Sequence, residues 1–153
     1  HLEKYFIFRP GWMMGGGPEK DKKFVKKIIH QINSGKKELF VVLDKLGTPT
    51  YTYDFAKNML EVINSSFFGI YNMVCKGEGS RYDVAREILK NLNLEKRIKL
   101  TKVDSDFFKK EYFAPRPYSE KLSPLKLKLR GLYKMRNWKV CLKEYLSKYH
   151  WLK

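Results

Sequence analysis

Val41-Val42-Leu43-Asp44-Lys45-Leu46-Gly47-Thr48-Pro49-Thr50-Tyr51-Thr52-Tyr53-Asp54-Phe55-Ala56 decides the fold of this chain. An apolar, β-branched run ends at Asp44, which reads as a buried strand stopping at a turn. A helix opens at Thr52-Tyr53-Asp54 and runs to about Ile63, with the Asp54 carboxylate suited to its positive end. Between the two, Gly47 permits a positive φ, Pro49 stiffens the approach to the helix, and Asp44 can accept backbone N–H bonds and hold the turn. Strand, shaped loop and helix in this order make one unit of an α/β chain.

The same alternation extends outward. Residues 4–9 are aromatic and β-branched and predict a strand, followed by a loop over 11–17 with Gly15-Gly16-Gly17 at its tip. Pro18 in a first turn, with Glu19 and Asp21 near the amino end, predicts one helix ending at Asn33-Ser34-Gly35. Strands are expected over 38–44, 69–75 and 98–103. Ser80 caps a helix whose core face is Tyr82, Val84, Ala85, Ile88 and Leu89. A short helix or turn follows over 106–112, an extended stretch over 115–117, and two helical segments near 124–132 and 137–149. The alternation implies parallel pairing, and parallel strands are buried on both faces, so the first strands read as the continuation of a larger sheet. The opening His-Leu-Glu-Lys-Tyr reads as a chain entered in mid-domain.

With 153 residues, 43% hydrophobic and 15% aromatic, the chain is large enough for one packed core. No apolar run approaches the roughly 20 residues of a membrane span, and the start is no signal peptide. Cys75 and Cys141 are isolated and without metal-ligand spacing, which fits reduced thiols in a cytoplasmic setting. The net charge of +16 raises the possibility of a nucleic-acid partner. The lysines are dispersed, however. Lys20, Lys22, Lys23, Lys26 and Lys27 share a helix with the apolar Phe24, Val25, Ile28, Ile29 and Ile32, and Lys126 and Lys128 alternate with Leu125, Leu127 and Leu129, as solvated faces do. A basic cleft that attracts an anionic nucleotide-sugar is the alternative use of this charge.

Few residues carry chemistry of their own. Trp12 follows a strand, where ligands bind in open α/β sheets, and an indole offers a sugar both apolar area and an N–H donor; a core role is the competing reading. Gly15-Gly16-Gly17 lacks dinucleotide spacing and a Walker lysine, and reads as a flexible lid or turn. Arg116, between two prolines, is suited to gripping a diphosphate bidentately, or to pairing with Glu111 or Glu120. His1, His30 and His150 are isolated. Tyr149 and Lys153 form a literal Tyr-x-x-x-Lys, but at the far end of the chain, after the last helix. No catalytic, cofactor-binding or metal-binding group is assigned.

Three segments together carry a resemblance. Arg9-Pro10-Gly11-Trp12, Asp44-Lys45-Leu46-Gly47-Thr48-Pro49-Thr50 and Ala114-Pro115-Arg116-Pro117-Tyr118-Ser119, in this order, resemble the carboxyl-terminal half of the dTDP-4-dehydrorhamnose reductases. These are extended short-chain dehydrogenases/reductases. Lys45 stands where the family has glutamine. The resemblance implies the carboxyl-terminal portion of a Rossmann-like α/β fold with a small mixed α/β substrate-binding part. Residues 1–75 would hold the last strands and helices of the Rossmann-like sheet with interleaved substrate loops; residues 76–153 would hold the substrate-binding part and the carboxyl-terminal helices. It places Trp12 and Arg116 on the nucleotide-sugar, with Arg9, Gly47, Thr50 and Arg81 bordering the pocket.

The resemblance further implies a parent enzyme that reduces dTDP-4-dehydro-L-rhamnose to dTDP-L-rhamnose with NADPH or NADH. Magnesium and a homodimer occur in the family. The dinucleotide-binding half and the catalytic Tyr-x-x-x-Lys pair would lie before His1, so this segment alone is expected to be inactive. A non-catalytic module, either like the regulatory subunit of methionine adenosyltransferase or a basic nucleic-acid-binding domain, is the other reading.

Overall fold

The computed structural model describes residues 3–110 and 117–152. Among the described residues nine strands and six helices follow one another: β1 (Phe6–Arg9), β2 (Trp12–Met14), α1 (Gly17–Lys20), α2 (Phe24–Asn33), β3 (Glu38–Val42), β4 (Leu46–Gly47), β5 (Pro49–Tyr51), α3 (Thr52–Asn64), β6 (Gly69–Asn72), β7 (Gly79–Ser80), α4 (Arg81–Asn91), β8 (Lys99–Val103), β9 (Ser119–Glu120), α5 (Leu125–Leu129) and α6 (Trp138–Ser147). A 3₁₀ turn, Ser105–Phe108, follows β8.

Parallel pairing dominates, as the alternation of strands and helices requires. β1 pairs with β6, β2 with β5 and β3 with β8, all parallel, while β4 lies between antiparallel β7 and parallel β9. Among the described residues β1 has a partner on one side only. Its Phe6 and Phe8 turn inward, Phe8 meeting Phe55 of α3 edge-on, whereas Ile7 and its partner Ile70 are exposed on the other face. One apolar core runs from Met14 to Trp151 and joins Val25, Ile28 and Ile29 of α2 to Leu39 and Val41 of β3, Val84, Ala85, Ile88 and Leu89 of α4, and Cys141, Leu142, Tyr145 and Leu146 of α6.

Several elements match the sequence expectation closely. Ser80 caps α4 in a full capping box: its hydroxyl accepts from the Asp83 backbone N–H, and the Asp83 carboxylate accepts from the Ser80 backbone N–H at 2.9 Å. Lysines of α2 lie outside its buried Val25, Ile28 and Ile29 face.

Other elements differ. The helix expected from Pro18 to Asn33 is two helices. Asp21 is buried and extended; one carboxylate oxygen accepts from the Lys23 backbone N–H at 2.7 Å and the other from the Tyr145 hydroxyl at 2.9 Å. That bond to α6, distant in sequence, takes the backbone out of the helix. The expected loop over 11–17 contains a strand, because Trp12–Met14 finds Pro49–Tyr51 alongside. The glycine run is a packed turn and not a lid: a Cβ on Gly15 would lie 1.8 Å from the Thr52 hydroxyl, and one on Gly17 would lie 2.8 Å from the Tyr149 ring. In α5 only Leu127 is buried; Leu125 and Leu129 are exposed beside Lys126 and Lys128.

Candidate functional site

Three loops meet at Trp12. Its position is fixed first by backbone: the Trp12 N–H donates to the Thr48 carbonyl at 3.0 Å, and Trp12 stands opposite Pro49 in the β2–β5 ladder. The buried Thr50 hydroxyl accepts from the Gly11 N–H at 3.2 Å and donates to the Thr48 carbonyl at 3.2 Å. The Thr48 hydroxyl accepts from the Leu122 N–H at 3.0 Å, which brings in the segment after β9. Thus Arg-Pro-Gly-Trp, Gly-Thr-Pro-Thr and the β9 region are stitched into one layer.

The indole is then fixed by side chains. Its Nε1–H donates to the Glu120 carboxylate at 2.7 Å, a charge-assisted bond. Glu120 reaches it because β9 runs parallel to β4, with Glu120 opposite Gly47. Gly47 lies flat against the indole: any Cβ there would stand 2.2 Å from the ring. Arg81, the first residue of α4 after the Ser80 cap, puts its guanidinium carbon 3.7 Å from the indole centroid and 5.1 Å from the Phe24 ring. A small cavity of about 20 Å³ lies between Trp12, Phe24, Pro49, Arg81 and Val84. The result is an aromatic surface with a carboxylate at its edge and a cation over it, at the ends of parallel strands.

The structure therefore brings Trp12, Gly47, Thr50 and Arg81 together. Arg9 stands apart at the exposed end of β1, opposite Asn72, and Arg116 lies outside the described residues. Lys45 sits with its ammonium 4.1 Å from the centroid of the Tyr118 ring. Asp44 does not hold its own turn through backbone N–H bonds as expected: one carboxylate oxygen accepts from the Ser105 hydroxyl at 2.7 Å and ties the loop to the turn after β8, and the other is buried without a hydrogen-bond partner among the described residues. Glu120 was not legible as the partner of Trp12, because nothing in a two-residue strand marks its register.

A second polar assembly lies behind this layer. Asp54, buried at the start of α3, accepts two bonds from the Arg136 guanidinium at 2.6 and 2.9 Å and one from the Arg136 backbone N–H at 3.3 Å. Arg136 also donates to Glu144 at 2.7 Å, and Glu144 accepts from Lys148 at 2.6 Å. Burial pushes the Asp54 carboxyl up, but the Arg136 and Cys141 bonds outweigh it and hold the group below the usual carboxylate range. The same two carboxylates raise the Arg136 guanidinium further still. A larger hollow of about 310 Å³ lies on this flank, lined by Asp54, Lys57, Glu61, Lys134 and Arg136 among others, and no described residue of the three motifs lines it.

Among the described residues one group of metal-ligating side chains comes together: Asp54, Cys75 and Cys141, all buried. It does not fit magnesium, which takes oxygen ligands in an octahedral shell; two of the three donors are thiols, and both Asp54 oxygens already accept from Arg136. No dinucleotide cradle is formed by the glycine run either, since Gly15 and Gly17 are packed against Thr52 and Tyr149.

The parallel ladders, the helices between them and the ligand-type surface at the strand ends define a part of an extended short-chain dehydrogenase/reductase fold. Comparison with known proteins makes this specific. Residues 1–151 match the RmlD substrate binding domain, and the chain belongs to that family. It is 32% identical over 141 residues to the spore coat polysaccharide biosynthesis protein SpsK of Bacillus subtilis, covering 92% of this chain and 46% of that protein. A dTDP-4-dehydrorhamnose reductase from Clostridium acetobutylicum superposes with a TM-score of 0.85 at 35% identity, over 95% of this chain and 49% of that one. The Bacillus anthracis reductase solved in complex with NADP gives 0.83 at 27% identity, over 97% of this chain and 49% of its own. The chain thus spans about half the length of these relatives. No helix among the described residues is long and apolar enough to cross a membrane.

Proposed function

We propose that this chain supplies the nucleotide-sugar-binding part of a cytoplasmic, NAD(P)H-dependent reductase that converts dTDP-4-dehydro-L-rhamnose to dTDP-L-rhamnose. The observation that carries the reading is the convergence on Trp12 of segments more than 100 positions apart, with Glu120 on its N–H and Arg81 over its ring. Trp12 packs against the sugar or the nucleotide base, and Arg116 of the Pro-Arg-Pro motif meets the diphosphate. Gly47, Thr50 and Arg81 shape the pocket wall, and Arg9 lies at its margin. Residues 1–75 contribute the last strands of the Rossmann-like sheet with the substrate loops, and residues 76–153 the rest of the substrate-binding part. Cofactor and hydride transfer belong to the other half of the enzyme, so the isolated chain turns over no substrate.

Titration of dTDP-rhamnose into the intact enzyme tests this. Trp12→Ala and Arg116→Ala should each cost about 1–3 kcal/mol of binding, as loss of a packed ring or a charge-assisted contact does. Arg116→Lys should not restore it, because an ammonium lacks the planar fork. Thermal melts report folding separately. Unchanged affinity in folded variants returns both residues to structural roles, and equal affinity for simple polyanions would argue for a general basic surface instead.

A further inference from the structure

The two cysteines, separated by 66 positions in sequence, meet in the core. Their sulfurs lie 3.8 Å apart, with Cys75 1% and Cys141 0% exposed. They are not simply packed among hydrocarbons. The Cys75 sulfur accepts from the Tyr51 backbone N–H at 3.4 Å, and the Cys141 thiol donates to the Asp54 carboxylate at 3.3 Å. The Cys75 thiol in turn points at the Cys141 sulfur. A file of polar groups therefore runs from β5 through both sulfurs to the Asp54–Arg136 pair.

We propose that Cys75 and Cys141 are an oxidation site, at which hydrogen peroxide converts the two thiols to an intrachain disulfide tying the segment after β6 to α6. The neighbours divide the roles. Hydrogen bonding with Cys141, whose proton can turn from Asp54 to the Cys75 sulfur when Cys75 ionises, lowers the Cys75 thiol despite its burial, with help from the Tyr51 N–H, whereas Cys75, burial and the Asp54 carboxylate keep Cys141 protonated. The Cys75 thiolate attacks one peroxide oxygen, and the O–O bond breaks. Cys75 becomes a sulfenic acid, and the departing hydroxide takes the proton Cys75 released, giving water. The Cys141 sulfur then attacks the Cys75 sulfur, the S–O bond breaks, and the hydroxide leaves with the Cys141 proton as a second water. Two thiols and one peroxide give one disulfide and two waters.

Geometry favours this outcome over others. Closing from 3.8 Å to a disulfide bond of about 2.05 Å needs a shift of less than 2 Å. Burial admits an oxidant little larger than water more readily than a bulky disulfide. The second thiol already touches the first, so the sulfenic acid is intercepted before further oxidation.

The test uses the purified 153-residue chain and hydrogen peroxide as the probe, followed by alkylation in denaturant and mass spectrometry. The expected product has lost about 2 Da, resists alkylation at both cysteines, yields one linked peptide pair containing Cys75 and Cys141, and reverts with dithiothreitol. In Cys141→Ala the same dose should instead carry Cys75 to the sulfinic acid, a gain of about 32 Da. Two alkylated cysteines after peroxide, links between separate chains, or a sulfinic Cys75 in the unaltered protein would each overturn the proposal. This inference is independent of the substrate reading, since no nucleotide-sugar enters the experiment.

Discussion

Around Trp12 the polar side chains face an aromatic ring; around Asp54 they face one another. Glu120 and Arg81 give one bond and one stacking contact to an indole that Gly47 also lies against. Asp54, Arg136, Glu144 and Lys148 neutralise each other in a chain of bonds between 2.6 and 2.9 Å. The second arrangement holds α3 to α6; the first fixes the orientation of a single ring. Under the proposed function, the more strongly paired assembly is the structural one and the weakly paired one meets the ligand.

The largest effect should come from the rear assembly. Asp54→Ala removes the acceptor for Arg136 and for the buried Cys141 thiol. Because Arg136 keeps 41% of its side chain in solvent, the cost should fall at about 2–4 kcal/mol, below that of a fully buried pair. Urea unfolding measures it, and a loss under 1 kcal/mol would remove the contrast.

Gly47→Ala should rank next, and should hurt the front assembly in a different way. Its methyl group would enter the indole at 2.2 Å, so Trp12 must turn away from Glu120. About 1–3 kcal/mol of stability and at least tenfold in dTDP-rhamnose affinity should be lost. Full affinity in this variant would mean that the observed pose of Trp12 is immaterial to binding.

Acid should separate the two regions more gently. The folded-state carboxyls of Asp54 and Asp83 are depressed: burial raises each, and their hydrogen bonds, from Arg136 and from Ser80 respectively, lower each by more. A depressed carboxyl contributes stability above its unfolded value of about 4, and that contribution disappears as pH falls through the folded value. Stability should therefore decline below about pH 4, with a shallower decline in Asp54→Asn, read from urea midpoints across pH. The smallest change belongs to Glu120→Gln, which keeps an oxygen for the indole N–H but loses the charge. A cost below about 1 kcal/mol is expected, with a change in tryptophan emission that Glu78→Gln, whose carboxylate pairs with Lys121 and not with an indole, does not produce.

Much of this was legible because it is local. The strand–turn–helix at 41–56, the Ser80 cap and the apolar face of α4 all follow from neighbouring residues. Trp12, Gly47 and Arg81 could be gathered only through the family resemblance, and the structure shows why: β4, β7 and β9 are two residues long, too short for any period to register. The break at Asp21 was hidden because its cause, the Tyr145 hydroxyl, lies 124 positions away. The meeting of Cys75 with Cys141 was hidden for the same reason, and spacing rules for cysteines look only along the chain.

The long-range parallel pairs also have a consequence for how the protein comes into being. Phe6 pairs with Gly69 and Glu38 with Lys99, so the first of these ladders closes only after the second has begun and before it can finish. On a ribosome, β3 would wait for roughly sixty further residues before its partner emerged, with Leu39 and Val41 uncovered in the meantime. Nascent chains of intermediate length should accordingly be clients for chaperones that hold apolar segments, and synthesis speed between codons 42 and 99 should influence yield more than speed elsewhere.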